Sequence, residues 1–178
     1  MLLTGILLAF LTVATVTDIR QHKIYNKTTY PGILVGLAVQ TWHNSWLGLG
    51  DGLYGFFVCG LIMLFCFVLF NVGGGDVKMI AMMGTFLGLE QGVEALLWTF
   101  VLGAVMGVAI LIWQFGFLKI VANTFRHIML MFRVKGWVSL TEEEREPLKR
   151  WLFLAPSALA AVLVMTANAE YHFLDRVF

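Results

Sequence analysis

Apolar residues run along this chain in blocks longer than a half-buried helix or strand of a soluble domain requires. Six blocks stand out, at residues 2–17, 30–42, 53–71, 77–89, 94–115 and 151–167. None of them alternates with the period of two that a membrane β-barrel strand shows. In lipid only helices and closed barrels satisfy the backbone, and one helical crossing takes roughly 20 apolar residues. The pattern therefore predicts an all-α, polytopic membrane protein of about six transmembrane helices, the second and fourth of them short. Residues 1–178 read as a single membrane-embedded domain.

The stretch between the fifth and sixth blocks differs in kind. Over residues 117–150 the basic residues Lys119, Arg126 and Arg133 recur every seven positions, with Phe117, Leu118, Val121, Phe125, Ile128, Met129 and Phe132 filling much of the remainder. That spacing predicts an amphipathic helix lying in the membrane interface. A capping box at Thr141–Glu144 opens a short helix in the charged connector that follows.

Composition agrees with the blocks. The chain is 60% hydrophobic and 13% charged with a mean hydropathy of +0.84, whereas a soluble domain carries nearer ~25% charged residues. A net charge of +1 argues against a nucleic-acid partner, and membrane lipid is the partner the composition implies. No basic residue precedes the first block, so it reads as a retained span rather than a secretory signal. Cys59 and Cys66, with no accompanying His or Cys set, read as buried thiols, and no metal site or cofactor is expected.

Charge placement sets the orientation. Eleven of the twelve basic residues fall in the connectors of one side: Arg20, Lys23, Lys27, Lys78, Lys119, Arg126, Arg133, Lys135, Arg145, Lys149 and Arg150. The opposite connectors hold Asp51, Glu90, Glu94, Glu170 and Asp175. The positive-inside rule makes the first group cytoplasmic, in the inner membrane of a prokaryote, with both termini outside. Trp42 and Trp46 fit an outer aromatic belt and Trp113, Trp137 and Trp151 an inner one. The pairs Gly32/Gly36, Gly84/Gly88 and Gly103/Gly107 sit four apart, the spacing of close helix packing.

Four aspartates occur in the chain, and Asp18 and Asp76 lie at the cytoplasmic edges of the first and fourth blocks, at one depth. Ionisable residues there are costly and are often functional. Two carboxylates brought together do not both ionise easily; one keeps a proton while the other acts as base. Such a pair can activate water against a peptide carbonyl. It titrates as a unit, so neither residue takes a fixed role. Position alone is also compatible with an edge charge at Asp18 and an ordinary helix cap at Asp76.

The surrounding motifs narrow this. Gly73-Gly74-Gly75-Asp76 is a GxGD sequence continuing Val77-Lys78-Met79, and Asp18 is followed six and eight residues later by Ile24 and Asn26. Together these resemble the type IV prepilin peptidases among the GxGD aspartyl proteases, over nearly the whole chain. The resemblance implies an aspartic endopeptidase that removes the leader of a prepilin-like protein substrate at the cytoplasmic membrane face. It also implies catalytic roles for Asp18 and Asp76, a site-shaping role for Gly73 and Gly75, and supporting polar roles for Lys78 and Asn26.

The chain departs from the family pattern at Tyr25, where Ile-Pro-Asn is usual. The Asp18–Tyr30 connector is short and free of cysteine, so the methyltransferase activity of larger members finds no support. The compact layout is most similar to the small peptidases of tight-adherence (Flp-type) pili. Leu154-Ala155-Pro156-Ser157 resembles the family's proline-containing last helix, where a kink would line the site. A preflagellin-type signal peptidase keeps the chemistry with another substrate. A small transporter or proton-conducting protein would use the acids as relays, but such proteins carry acids near the midplane and inverted repeats. Asp51, in Gly48–Gly52, reads as an outer turn across the membrane from the other acids.

Overall fold

The computed structural model describes residues 2–70, 72–115 and 154–177. The interfacial helix and connector expected over 117–150, with Trp137 and Trp151, lie outside these residues. All regular structure in the described residues is α-helical: α1 (Leu2–Gln21), α2 (Asn26–Phe70), α3 (Gly74–Phe115) and α4 (Leu154–Val177). The stretches Leu3–Gln21, Asn26–Phe70 and Gly74–Ile110 are long and apolar enough to cross a membrane, and Leu154–Ala167 is a shorter apolar helix.

Two of these helices turn back on themselves. In α2, Asn44 (φ −124°, ψ 19°) and Ser45 (φ 57°, ψ −142°) leave helical geometry. Gly52 lies so close to the preceding segment that a Cβ there would sit 3.3 Å from Leu37. A Cβ on Gly48 would collide with the Gln40 carbonyl. Residues 26–43 and 46–70 thus form an antiparallel hairpin. In α3 the break is Gly88 (φ 76°, ψ −167°), a region of backbone space that is essentially glycine's own. Gly92 returns against Gly84, within 3.3 Å of a Cβ placed on it. The second and third apolar blocks therefore correspond to residues 26–43 and 46–70, and the fourth and fifth to 74–87 and 89–115.

Small residues set the packing. Gly32 meets Met82 and Phe10, Gly36 meets Thr85 and Phe86, and Gly60 meets Ala81. Gly55 and Gly84 lie backbone to backbone, the close approach that small residues permit between membrane helices. Of the expected packing glycines, Gly84 and Gly88 both approach Gly55 closely and Gly88 also makes the reversal, whereas among the described residues a Cβ on Gly107 would meet nothing within 4 Å. Asp51 also differs from expectation. It lies inside the helical segment 46–70 rather than in a turn, and its Oδ1 accepts a 3.1 Å hydrogen bond from the Leu89 N–H just past the Gly88 reversal. It caps a helix start on another element.

Residues 2–102 and 154–177 belong to a first compact unit, and residues 103–115 lie outside it. In the first unit Leu7, Leu11 and Ala14 of α1, Met79, Ile80, Met82 and Met83 of α3, and Ala155, Ala158 and Val162 of α4 are buried together. α1 packs against both α2 and α4. Leu34, Phe65, Val68 and Trp42 are exposed, an apolar exterior suited to lipid and costly in water. α4 shows no kink in its described length. Pro156 falls in its first turn, where a missing N–H disrupts no helical bond, so it does not bend the helix as expected.

Candidate active site

The site lies in the first unit, where the end of α1, the connector to α2 and the start of α3 meet. α1 is closed by the His22 N–H, which donates to the Asp18 carbonyl at 2.8 Å while His22 itself takes φ 52°. This is a left-handed C-cap with histidine where glycine is usual. It turns the chain sharply, so residues 22–25 fold back beside Asp18. Tyr25 then opens α2: its carbonyl accepts from the Thr28 and Thr29 N–H groups at 3.0 and 3.3 Å, and its hydroxyl donates to Gln21 Oε1. In place of a rigid proline, the aromatic side chain ties the start of α2 to the last turn of α1.

α3 begins with the glycine run. The Gly73 carbonyl accepts from the N–H groups of Asp76 and Val77 at 3.0 and 3.4 Å, setting Asp76 in the first helical turn. A carboxylate there faces the positive end of the helix dipole. Two of the three glycines leave little room for a side chain. A Cβ on Gly75 would stand 3.0 Å from Ile24 Cβ and 3.5 Å from its carbonyl oxygen, so this glycine lets the connector lie directly on α3. A Cβ on Gly73 would stand 2.9 Å from Asp76 Oδ2, against the acid itself. Gly74 has room, its nearest neighbour being a Phe67 ring carbon at 3.9 Å.

The result is a cavity of about 320 Å³ lined by Asp18, His22, Lys23, Ile24, Tyr25, Asn26, Gly75 and Asp76. Both acids are partly buried and close enough for their charges to interact, and His22 is within electrostatic reach of Asp18. The backbone N–H of Ala155, in the first turn of α4, faces the Asp18 carboxylate. Lys78 Nζ donates a 2.8 Å hydrogen bond to Asn26 Oδ1 and sits 5.3 Å from the centre of the Tyr30 ring. Asp18, Asp76, Gly75 and Asn26 therefore share one cavity, with Gly73 and Lys78 each one contact away. Asp51 lies at the far end of residues 74–87, about 18 Å away along the helix at ~1.5 Å per residue.

Two contributions go beyond the sequence reading: the 154–157 stretch reaches the site through the Ala155 N–H rather than through a proline kink, and Tyr25, marked in the sequence only by the proline it replaces, ties α2 to α1. Chemically, paired carboxylates in a cavity that reaches the surface can hold a water between them. One accepts its proton while the other hydrogen-bonds the oxygen of an attacked carbonyl.

Comparison with known proteins supplies one finding. A sequence model described as the type IV leader peptidase family matches residues 5–108, more than half of the chain and inclusive of both acids. No curated protein and no solved structure matches.

Proposed function

Because the chain belongs to the type IV leader peptidase family, we propose that it is an aspartic endopeptidase using Asp18 and Asp76 to remove the leader of Flp-type prepilins at the cytoplasmic membrane face. The observation that carries this reading is the shared cavity, which brings together two acids 58 positions apart in the sequence. Water between the carboxylates loses its proton to one as its oxygen attacks the scissile carbonyl. The other carboxyl, protonated, stabilises the developing oxyanion. The proton then passes to the leaving nitrogen as the C–N bond breaks, which restores the pair.

Gly73 and Gly75 keep the approach to the acids narrow and free of side chains, while the Lys78–Asn26 pair holds the start of α2 against α3. Six crossings with the termini outside follow from reading the reversals at Ser45 and Gly88 as membrane turns, and the charge asymmetry faces the cavity toward the cytoplasm. The short, cysteine-free connector of residues 22–25 supports cleavage without methylation.

Co-expression with a Flp-type prepilin tests the reading. The expected result is a precursor shortened by its leader, with a free, unmethylated new N-terminus by mass spectrometry. Uncut precursor beside folded, membrane-inserted enzyme overturns the substrate assignment.

A further inference from the structure

Among the described residues, most helical serine and threonine hydroxyls are satisfied within their own helix. Thr12, Thr17, Thr41, Thr85, Thr99, Ser157 and Thr166 each donate to a backbone carbonyl three or four residues earlier, at 2.6–2.9 Å. Such back-bonding is how a hydroxyl is satisfied inside an apolar helix. Thr15, like Thr29, is not satisfied in this way. It is 8% exposed, and its Oγ1 has no hydrogen-bond partner.

The described buried side-chain polar atoms without a partner are Thr15 Oγ1, Asp18 Oδ2 and Thr29 Oγ1. They are not scattered. Thr15 lies three residues before Asp18 on α1, and Thr29 three residues after the cavity residue Asn26 on α2. Residues three apart on a helix are surface neighbours, with Cβ atoms roughly 5–6 Å apart. One water between Thr15 and Asp18 would accept or donate at the hydroxyl and donate to the carboxylate, satisfying two buried groups that each cost free energy alone.

We propose that Thr15 is a positioning residue for Asp18, its hydroxyl holding a bound water that hydrogen-bonds Asp18 Oδ2. This rests on the reading of Asp18 as a catalytic acid. The water would fix Asp18 Oδ2, the oxygen without a partner, while the Ala155 N–H faces the same carboxylate. Thr15 touches no substrate. Its effect belongs to the chemical step rather than to binding.

The test is steady-state kinetics on a prepilin in reconstituted membranes, with Thr15→Val, Thr15→Ser and Thr99→Val measured beside Asp18→Asn. Valine matches threonine in shape and lacks the hydroxyl; serine keeps it. Thr99 is fully buried and back-bonded, so it reports the cost of losing a buried hydroxyl as such. Thr15→Val is expected to lower kcat by about ten- to a hundredfold, the cost of one hydrogen bond to a charged group, at unchanged KM. Thr15→Ser and Thr99→Val should keep kcat near wild type. Wild-type kcat in Thr15→Val, equal losses in Thr15→Ser, or an equal loss in Thr99→Val each overturn the proposal. If Asp18→Asn is inactive while Thr15→Val is not, the proposal alone fails; if Asp18→Asn still cleaves, the acid-pair reading fails with it.

Discussion

Gly75 offers a graded test of how the site is built. A Cβ at this position would meet Ile24 Cβ at 3.0 Å, roughly 0.5–1 Å inside the ~3.5–4.0 Å optimum for carbon contacts. The obstacle is not a flexible tip: the Ile24 nitrogen and carbonyl oxygen lie at 3.6 and 3.5 Å. The connector of residues 22–25 must therefore move as backbone. Alanine requires a shift of a few tenths of an ångström, and valine's extra methyls require roughly 1 Å. Overpacking of this kind costs about 1–3 kcal/mol of stability. Displacing reacting groups by ~1 Å costs about a hundredfold in rate.

Activity should thus fall further than stability, by about tenfold in Gly75→Ala and a hundredfold or more in Gly75→Val. Gly74→Ala is the internal control. A Cβ there would meet only Phe67, at 3.9 Å, an ordinary van der Waals contact, so alanine fits without displacement. Leader processing followed as a gel shift over time, beside the thermal midpoint of each purified variant, separates the two effects. Wild-type processing by Gly75→Val, or equal damage from Gly74→Ala, would refute the reasoning.

Gly88→Ala should lose about 1–3 kcal/mol from its positive φ alone, and more because the new Cβ would collide with the Asp51 carboxylate; the check is a thermal midpoint lowered well beyond that of Gly107→Ala. Asp51→Ala should cost about 1 kcal/mol as a lost helix cap and leave kcat unchanged, while Asp51→Asn, which keeps an acceptor oxygen, should cost less. Asn26→Ala and Lys78→Met should each slow processing, and the double variant should be no slower than the worse single one, because one 2.8 Å hydrogen bond connects them; additive losses in a double-mutant cycle would show independent roles.

The helices were legible in the sequence wherever the apolar blocks were long. The reversals were harder to place. Gly48, Gly50 and Gly52 resemble a turn, yet Gly48 and Gly52 serve close packing within a helix and the turn falls at Asn44–Ser45, a weaker turn signal than the neighbouring glycines. The Gly88 reversal was hidden because a glycine four residues from another reads as packing. Asp51 reads as a surface acid until the Leu89 N–H is brought to it from 38 positions away.

The motifs point to the candidate site, and within GxGD Gly73 is tight against Asp76 itself, whereas the tight neighbour of Gly75 is Ile24 from the distant connector and Gly74 has room. What the motifs do not encode is the surrounding support. The Tyr25–Gln21 tie, the Ala155 N–H and the unsatisfied Thr15 hydroxyl depend on which helices pack together, and residue type alone does not announce that.

The central claim is that Asp18 and Asp76 act as one catalytic pair, and substitution of each acid by its amide tests it most directly. Asparagine keeps the size and most hydrogen bonds but can neither take up nor release the proton. Processing of a co-expressed Flp-type prepilin should fall at least a hundredfold in Asp18→Asn and in Asp76→Asn, the lower end of what acid–base catalysis contributes, with both variants folded and membrane-inserted. Asp51→Asn, at the far end of the same helices, should process normally. Sustained cleavage by either Asp18→Asn or Asp76→Asn would contradict the account.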